Sequence, residues 1–221
     1  MSVKIIRLAE NYLLVGGSRG LLLMVDCYQQ LSRFNRPNQL NVDLELLTRF
    51  REANNNQASI QEAIDLLIRS YGLQRNPPFN GEEFAPILVQ SLDQIHNLPE
   101  ANIETIELLT NTFEQLKQSF ADQLNQVGPL PDVTLSKLLH FVQPISFWIL
   151  DSRVETILDI WSYPTTYAGF GQMLCHLFSD PDFNDFRTFI ENKNSELVAQ
   201  HPIHEQPCSL LKLIDKILWF Y

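Results

Sequence analysis

Three cysteines in 221 residues, Cys27, Cys175 and Cys208, are too few and too widely spaced for a disulfide framework. Their odd number points instead to a reducing compartment, and the expected location is cytoplasmic. Long apolar runs are missing too. No stretch reaches the roughly 18–20 residues of a membrane span, so no membrane partner is expected. The 45% hydrophobic content is therefore available for a core. The first twenty residues, MSVKIIRLAENYLLVGGSRG, have the outline of a signal peptide. Glu10 and Asn11 interrupt its apolar part, however, and no small-residue cleavage site follows. The segment reads as a helix of the mature protein.

Positive charge is also scarce. Sixteen Lys and Arg stand against 26 Asp and Glu, a net charge of −10. Such a balance argues against a general nucleic-acid binder, which needs clustered basic residues for phosphate contacts. The imbalance is uneven along the chain. Residues 1–51 hold seven Lys/Arg against four Asp/Glu, residues 52–127 three against eleven, and residues 128–221 six against eleven. A weakly basic N-terminal face precedes an acidic middle made of solvated helix faces.

What is present is helical periodicity. Lys4–Val15 and Leu21–Phe34 read as helices separated by GGSRG at 16–20. Val42–Ala53 follows, then a helix opening at Ser59, where Glu62 three residues on suggests a capping box. Glu82–His96 tolerates Pro86 in its first turns. Ile103–Gln126 should be the longest element, with Ile106, Leu109, Phe113, Leu116 and Phe120 at helical spacing. Gly128, Pro129 and Pro131 mark an internal boundary between an N-terminal half, 1–127, and a C-terminal half, 128–221. Beyond it lie Thr134–Val142, Ser152–Trp161, Thr165–Phe178, Pro181–Ala199 and Ser209–Phe220. β-like runs such as Ser146–Leu150 are too few to build a sheet. The expected fold is all-α, in two packed helical halves.

The segment Leu130–Leu158, LPDVTLSKLLHFVQPISFWILDSRVETIL, places Lys137, His140, Asp151 and Arg153 among the most apolar residues of the chain. Charged side chains are seldom buried unless paired or given a task. In a catalytic reading, a desolvated Lys137 amine loses proton affinity and becomes a nucleophile. Asp151 serves as carboxylate base or stabilises a developing cation. His140, one turn from Lys137, and Arg153 orient the reacting groups. In a structural reading Asp151 caps the helix that begins at Ser152. Arg153 and Lys137 then pair with nearby carboxylates or lie at the rim, and His140 donates to a backbone carbonyl.

The same segment resembles the helix-hairpin-helix DNA glycosylase signature, in which an LPGVG-type hairpin precedes a helix carrying a lysine and an apolar stretch ending in V-D-T-H-V. Leu130, Pro131 and Val133 match the hairpin, Lys137 the lysine, Asp151 the aspartate and Val154 the last valine. The resemblance implies that Lys137 attacks the sugar while Asp151 assists departure of the base. It departs from the pattern where Asp132 and Thr134 replace both hairpin glycines, which removes the permissive backbone that approaches a phosphate. Lys137 stands one position late, and Asp151 follows it too closely. The segment is also similar to a pattern in uncharacterised bacterial helical proteins, a likeness that implies no function.

Other motifs have ordinary explanations. Asp180-Pro181-Asp182 begins like a calcium loop but puts Asp185 where that loop needs glycine, so a helix start with Asp180 as N-cap is expected. His201, His204 and Cys208 lack a fourth ligand for structural zinc, and no metal or cofactor is expected. Cys175 and His176 are adjacent on a helix and face apart. Residues 16–20 lack the Lys-Ser/Thr of a phosphate loop. The C-terminal LLKLIDKILWFY should pack into the core; exposed, its aromatics would mark a protein partner's surface. Two function classes follow. One is a DNA glycosylase/lyase-like enzyme acting on nucleic acid, with Lys137, Asp151, His140 and Arg153 as its site. The other is a non-catalytic interaction or regulatory protein, for example a partner in a bacterial defence or toxin-type pair.

Overall fold

Short polar side chains start four of the helices. Asn56, Asn80, Asp151 and Thr166 each hold an extended backbone and accept a hydrogen bond from an N–H of the first turn. The computed structural model describes residues 39–73, 79–125, 130–200 and 209–219. Among the described residues there is no strand and there are nine helices. These are α1 (Gln39–Glu52), α2 (Gln57–Tyr71), α3 (Gly81–His96), α4 (Ile106–Gln123), α5 (Asp132–Val142), α6 (Ser152–Ile160), α7 (Tyr167–Phe178), α8 (Phe183–Gln200) and α9 (Leu210–Trp219). The protein is all-α. The expected helices Lys4–Val15 and Leu21–Phe34, the turn at 16–20 and the His201/His204/Cys208 cluster lie outside the described residues.

Several boundaries differ from the periodicity. The cap of α2 is Asn56, whose Oδ1 accepts from Ser59 N at 3.0 Å, so Ser59 is already inside the helix. Gly72, at φ 65°, ends α2 and returns its N–H to Ile68. α4 begins at Ile106 because Asn102 and Thr105 form a turn of their own. Asn102 Oδ1 accepts from Glu104 N at 2.8 Å, and Thr105 Oγ1 donates to the Glu100 carbonyl at 2.7 Å. At 18 residues α4 is matched in length by α8. In the turn that leads into α8, Asp180 accepts from Asp182 N at 3.0 Å.

One apolar cluster runs from Val42 on α1 to Leu218 on α9 and includes residues of every helix. It continues from Ala121 to Leu130, so both sides of the expected boundary share a core. At helical spacing α2 contributes Ile60, Ile64 and Leu67, α3 contributes Phe84, Leu88 and Ile95, and α4 contributes Leu109, Phe113 and Phe120, all buried. Burying each such side chain is worth about 1.5–3 kcal/mol, which makes this stripe packing the main source of helix stability. Tyr167 lies stacked between Phe113, at 3.5 Å between centroids, and Trp148, at 4.3 Å. The stack joins α4, α7 and the segment 147–150.

That segment belongs to no helix or strand, and Phe147 to Leu150 are all buried. Buried backbone groups need partners, and α5 supplies them from its side chains. Ser136 Oγ accepts from Leu150 N at 3.1 Å, and His140 Nδ1 donates to the Phe147 carbonyl at 2.7 Å.

Candidate active site

α5 is wrapped on all sides. Every residue from Thr134 to Val142 is buried, Lys137 and His140 included. A helix with no solvent face presents its polar side chains to other elements of the protein. Lys137 is 9% exposed, and its Nζ stands 5.1 Å from the centroid of the Tyr71 ring on α2. Among the described residues, no carboxylate pairs directly with this ammonium. Burial therefore holds its proton affinity below that of an ordinary lysine. The charges of Asp151, Asp215 and Asp43 pull it up, and that of Lys212 pushes it down.

The Tyr71 ring is part of a chain of polar contacts. Its hydroxyl donates to Asp43 Oδ1 on α1 at 2.5 Å. Asp43 Oδ2 lies 3.7 Å from Lys212 Nζ on α9, and Lys212 Nζ donates to Asp215 Oδ2 at 3.0 Å. Lys212 and Asp215 are buried like Lys137. Asp215 Oδ1 has no hydrogen-bond partner among the described residues. Its desolvation raises the carboxyl's affinity for a proton, against the opposing charge of Lys212. Four helices thus converge on one polar cluster inside an apolar core.

The four residues singled out by the sequence are placed as follows. Lys137 belongs to this cluster. Asp151 is close enough to be the largest charge acting on Lys137. Its Oδ1 also caps α6, accepting from Arg153 N and Val154 N at 2.9 Å each. His140 is 1% exposed and occupied with Phe147; burial above all, then the charge of Lys212, lowers its pKa to about 3. It is a neutral imidazole with its proton on Nδ1. Arg153 stands on the exposed start of α6. Asp132, where the glycosylase-type hairpin has glycine, is the first residue of α5. One of its oxygens pairs with the Lys117 ammonium, and the other accepts from Tyr167 N at 3.1 Å. That helix end is therefore filled by the protein's own carboxylate. Cys175 and His176 do not meet as a pair: His176 Nδ1 lies 2.5 Å from the Tyr163 hydroxyl, while the half-buried Cys175 thiol is pushed up in pKa by burial.

Asp43, Tyr71, Lys212 and Asp215 were not visible as site residues in the sequence, although each carries a signal. Asp43 stands at the head of the stripe Leu46, Leu47 and Phe50, and Tyr71 at the end of Ile64, Leu67 and Ile68. Lys212 and Asp215 are opposite charges three apart on a helix otherwise lined by Leu210, Leu211, Leu213, Ile214 and Leu218. A polar residue in register with an apolar stripe faces inward.

Chemically, the arrangement offers a desolvated amine, an aromatic face against it and carboxylates nearby. Among the described residues there is no group of three or more His, Cys, Asp or Glu side chains placed to hold a metal ion. No helix among them is long and apolar enough to cross a membrane. No family model matches the chain, and no curated protein or solved structure matches it.

Proposed function

We propose that Lys137 is the nucleophile of a DNA glycosylase/lyase-like activity, condensing with the aldehyde carbon of an opened sugar. One observation carries the reading: a buried amine that faces an aromatic ring and has no direct ion-pair partner among the described residues. Desolvation lowers the amine's proton affinity, against the opposing charge of Asp151, and so favours the neutral, nucleophilic form. Asp151 acts through its charge, since its Oδ1 is committed to the helix cap. His140 fixes α5 against residues 147–150, and Arg153 supplies positive charge at the exposed rim. Cytoplasmic action suits the free Cys175 thiol.

A second reading, a non-catalytic helical interaction protein such as a partner in a bacterial toxin-type pair, is favoured by the work Asp151 and His140 already do inside the fold. Borohydride trapping on abasic DNA separates the two. The glycosylase-type reading expects a covalent adduct that maps to Lys137 and is lost in Lys137→Ala. Equal trapping by wild type and Lys137→Ala, or none by either, leaves the second reading standing.

A further inference from the structure

We infer that Tyr71 is the positioning residue of the Lys137 amine, its ring face favouring the iminium that Lys137 forms with a carbonyl compound over the protonated amine. The inference rests on Lys137 being a nucleophile, but not on the substrate being nucleic acid.

The geometry first concerns the ring. Asp43 holds its hydroxyl at 2.5 Å, and Phe141 packs against it at 5.6 Å between centroids with the planes 57° apart. Asp43 is in turn set by Lys212, and Lys212 by Asp215. Helices α1, α2 and α9 together fix one aromatic plane, and α5 brings Lys137 Nζ over it at 5.1 Å. The phenol's bond to a carboxylate also places more electron density in the ring, deepening the negative face that attracts a cation.

The discrimination comes from hydrogen bonding. An alkylammonium carries three N–H donors, and a buried donor without an acceptor is costly. A ring face accepts weakly and meets only one direction. An iminium nitrogen carries a single N–H and spreads its charge onto carbon, so the same face serves it far better. In the condensation, the amine lone pair forms the C–N bond and the carbonyl π electrons pass to oxygen. That oxygen takes one proton from the nitrogen and one from solvent and leaves as water. The positive charge left on C=N lies against the ring. The preferred ligand class is therefore an unhindered aldehyde whose carbon can reach a nitrogen backed by an aromatic plane.

The test uses the full chain, glycolaldehyde and cyanoborohydride, with the Lys137 adduct quantified by peptide mass spectrometry as a function of pH. Charged groups that act on Lys137 are Asp43 on α1, Asp151 before α6, and Lys212 and Asp215 on α9, with Glu155 on α6 sensing it in return. The wild type should form the adduct, and Tyr71→Phe should keep it to within about threefold because the ring remains. Tyr71→Leu should lower it by roughly 3- to 30-fold, the loss persisting at high pH where the amine is already neutral. Asp43→Asn, which keeps the ring and loses the bond to a carboxylate just as Tyr71→Phe does, should lie with Tyr71→Phe between the wild type and Tyr71→Leu. A folded Tyr71→Leu that matches the wild type, or a Tyr71→Phe as poor as Tyr71→Leu, overturns the inference. If Tyr71→Leu does not fold, an Asp43→Asn adduct equal to wild type overturns it and a reduced one supports it. Absence of any Lys137 adduct also overturns it. A ring-dependent glycolaldehyde adduct without an abasic-DNA adduct removes the lyase reading and leaves this one in place.

Discussion

His140 gives the sharpest prediction about pH. Its imidazole is buried, donates from Nδ1 to the Phe147 carbonyl at 2.7 Å, and has its pKa lowered to about 3 by desolvation and then by Lys212. In the unfolded chain it titrates near the ordinary value of about 6.5. A group whose folded pKa is depressed adds its full share of stability above the unfolded value and loses it as pH falls toward the folded one. The affected window is thus pH 6.5 down to about 3, because only the unfolded state takes up the proton there. At about 1.36 kcal/mol per pH unit, the loss between pH 7 and pH 5 is roughly 2 kcal/mol. Carboxylates titrate over the same range, so the measurement needs a reference. His140→Asn keeps an N–H donor near the Nδ1 position and removes the titration; its smaller volume costs stability at every pH alike. Urea unfolding of both proteins at pH 7 and pH 5 forms a cycle in which the carboxylate contributions cancel. The wild type should lose about 2 kcal/mol more than His140→Asn on acidification. Equal losses, within about 0.5 kcal/mol, would falsify the assignment of a neutral, buried imidazole.

Three further outcomes follow from single contacts. Asp151→Ala should cost about 1 kcal/mol through the lost cap, whereas Asp151→Ser should restore stability but lower the pH midpoint of Lys137 modification, because the largest charge raising that amine is gone; an unchanged midpoint would show that Asp151 is a cap alone. The Tyr167 hydroxyl is buried with no hydrogen-bond partner among the described residues, so Tyr167→Phe should gain about 1 kcal/mol in denaturant unfolding while keeping the stack; a loss of that size would reveal a partner for the hydroxyl. A Cβ on Gly169 would sit 1.9 Å from the Pro164 carbonyl oxygen, so Gly169→Ala must shift backbone and weaken the Thr166 cap, at a cost of at least about 2 kcal/mol by thermal melting; a melt within a degree of wild type would rule the contact out.

The fold was readable where apolar spacing and caps agree. α3 and α6 were placed to within a residue or so, since Asp151 and the Gly/Pro-rich flanks punctuate an unbroken period. The errors have physical causes. Ser59 satisfies the capping-box pattern, yet Asn56 reaches the same N–H from outside the helix. Asn102 and Thr105 satisfy each other's backbone and delay α4 by one turn, a local competition that periodicity cannot register. The site was half legible. Lys137 and Asp151 stand out because they interrupt an apolar run within one segment. Their surroundings come from α1, α2 and α9, far away in sequence, and only tertiary packing brings Asp43, Tyr71, Lys212 and Asp215 to the same place. His140 was legible as a buried histidine, but not that the irregular, buried segment 147–150 needs its N–H.

The cost of this cluster separates its members. Buried ion pairs contribute little net stability, because desolvation of the two charges offsets their attraction, and well-packed apolar residues often do as well. Lys212, Asp215 and Asp43 at least recover part of that cost through contacts at 3.0 and 3.7 Å. Lys137 does not. It sits in the same core facing a ring, and methionine would fill a similar volume against that ring at no cost in charge. As packing, an amine is the poorer choice at this position, and the burial that makes it so also lowers its proton affinity. Lys137→Met should accordingly leave the fold at least as stable as the wild type while abolishing every adduct that Lys137 forms, a pairing seen as unchanged or raised urea resistance with no trapped product. Stability that falls by more than about 2 kcal/mol would instead mark Lys137 as a structural cation, paired more strongly than its geometry indicates.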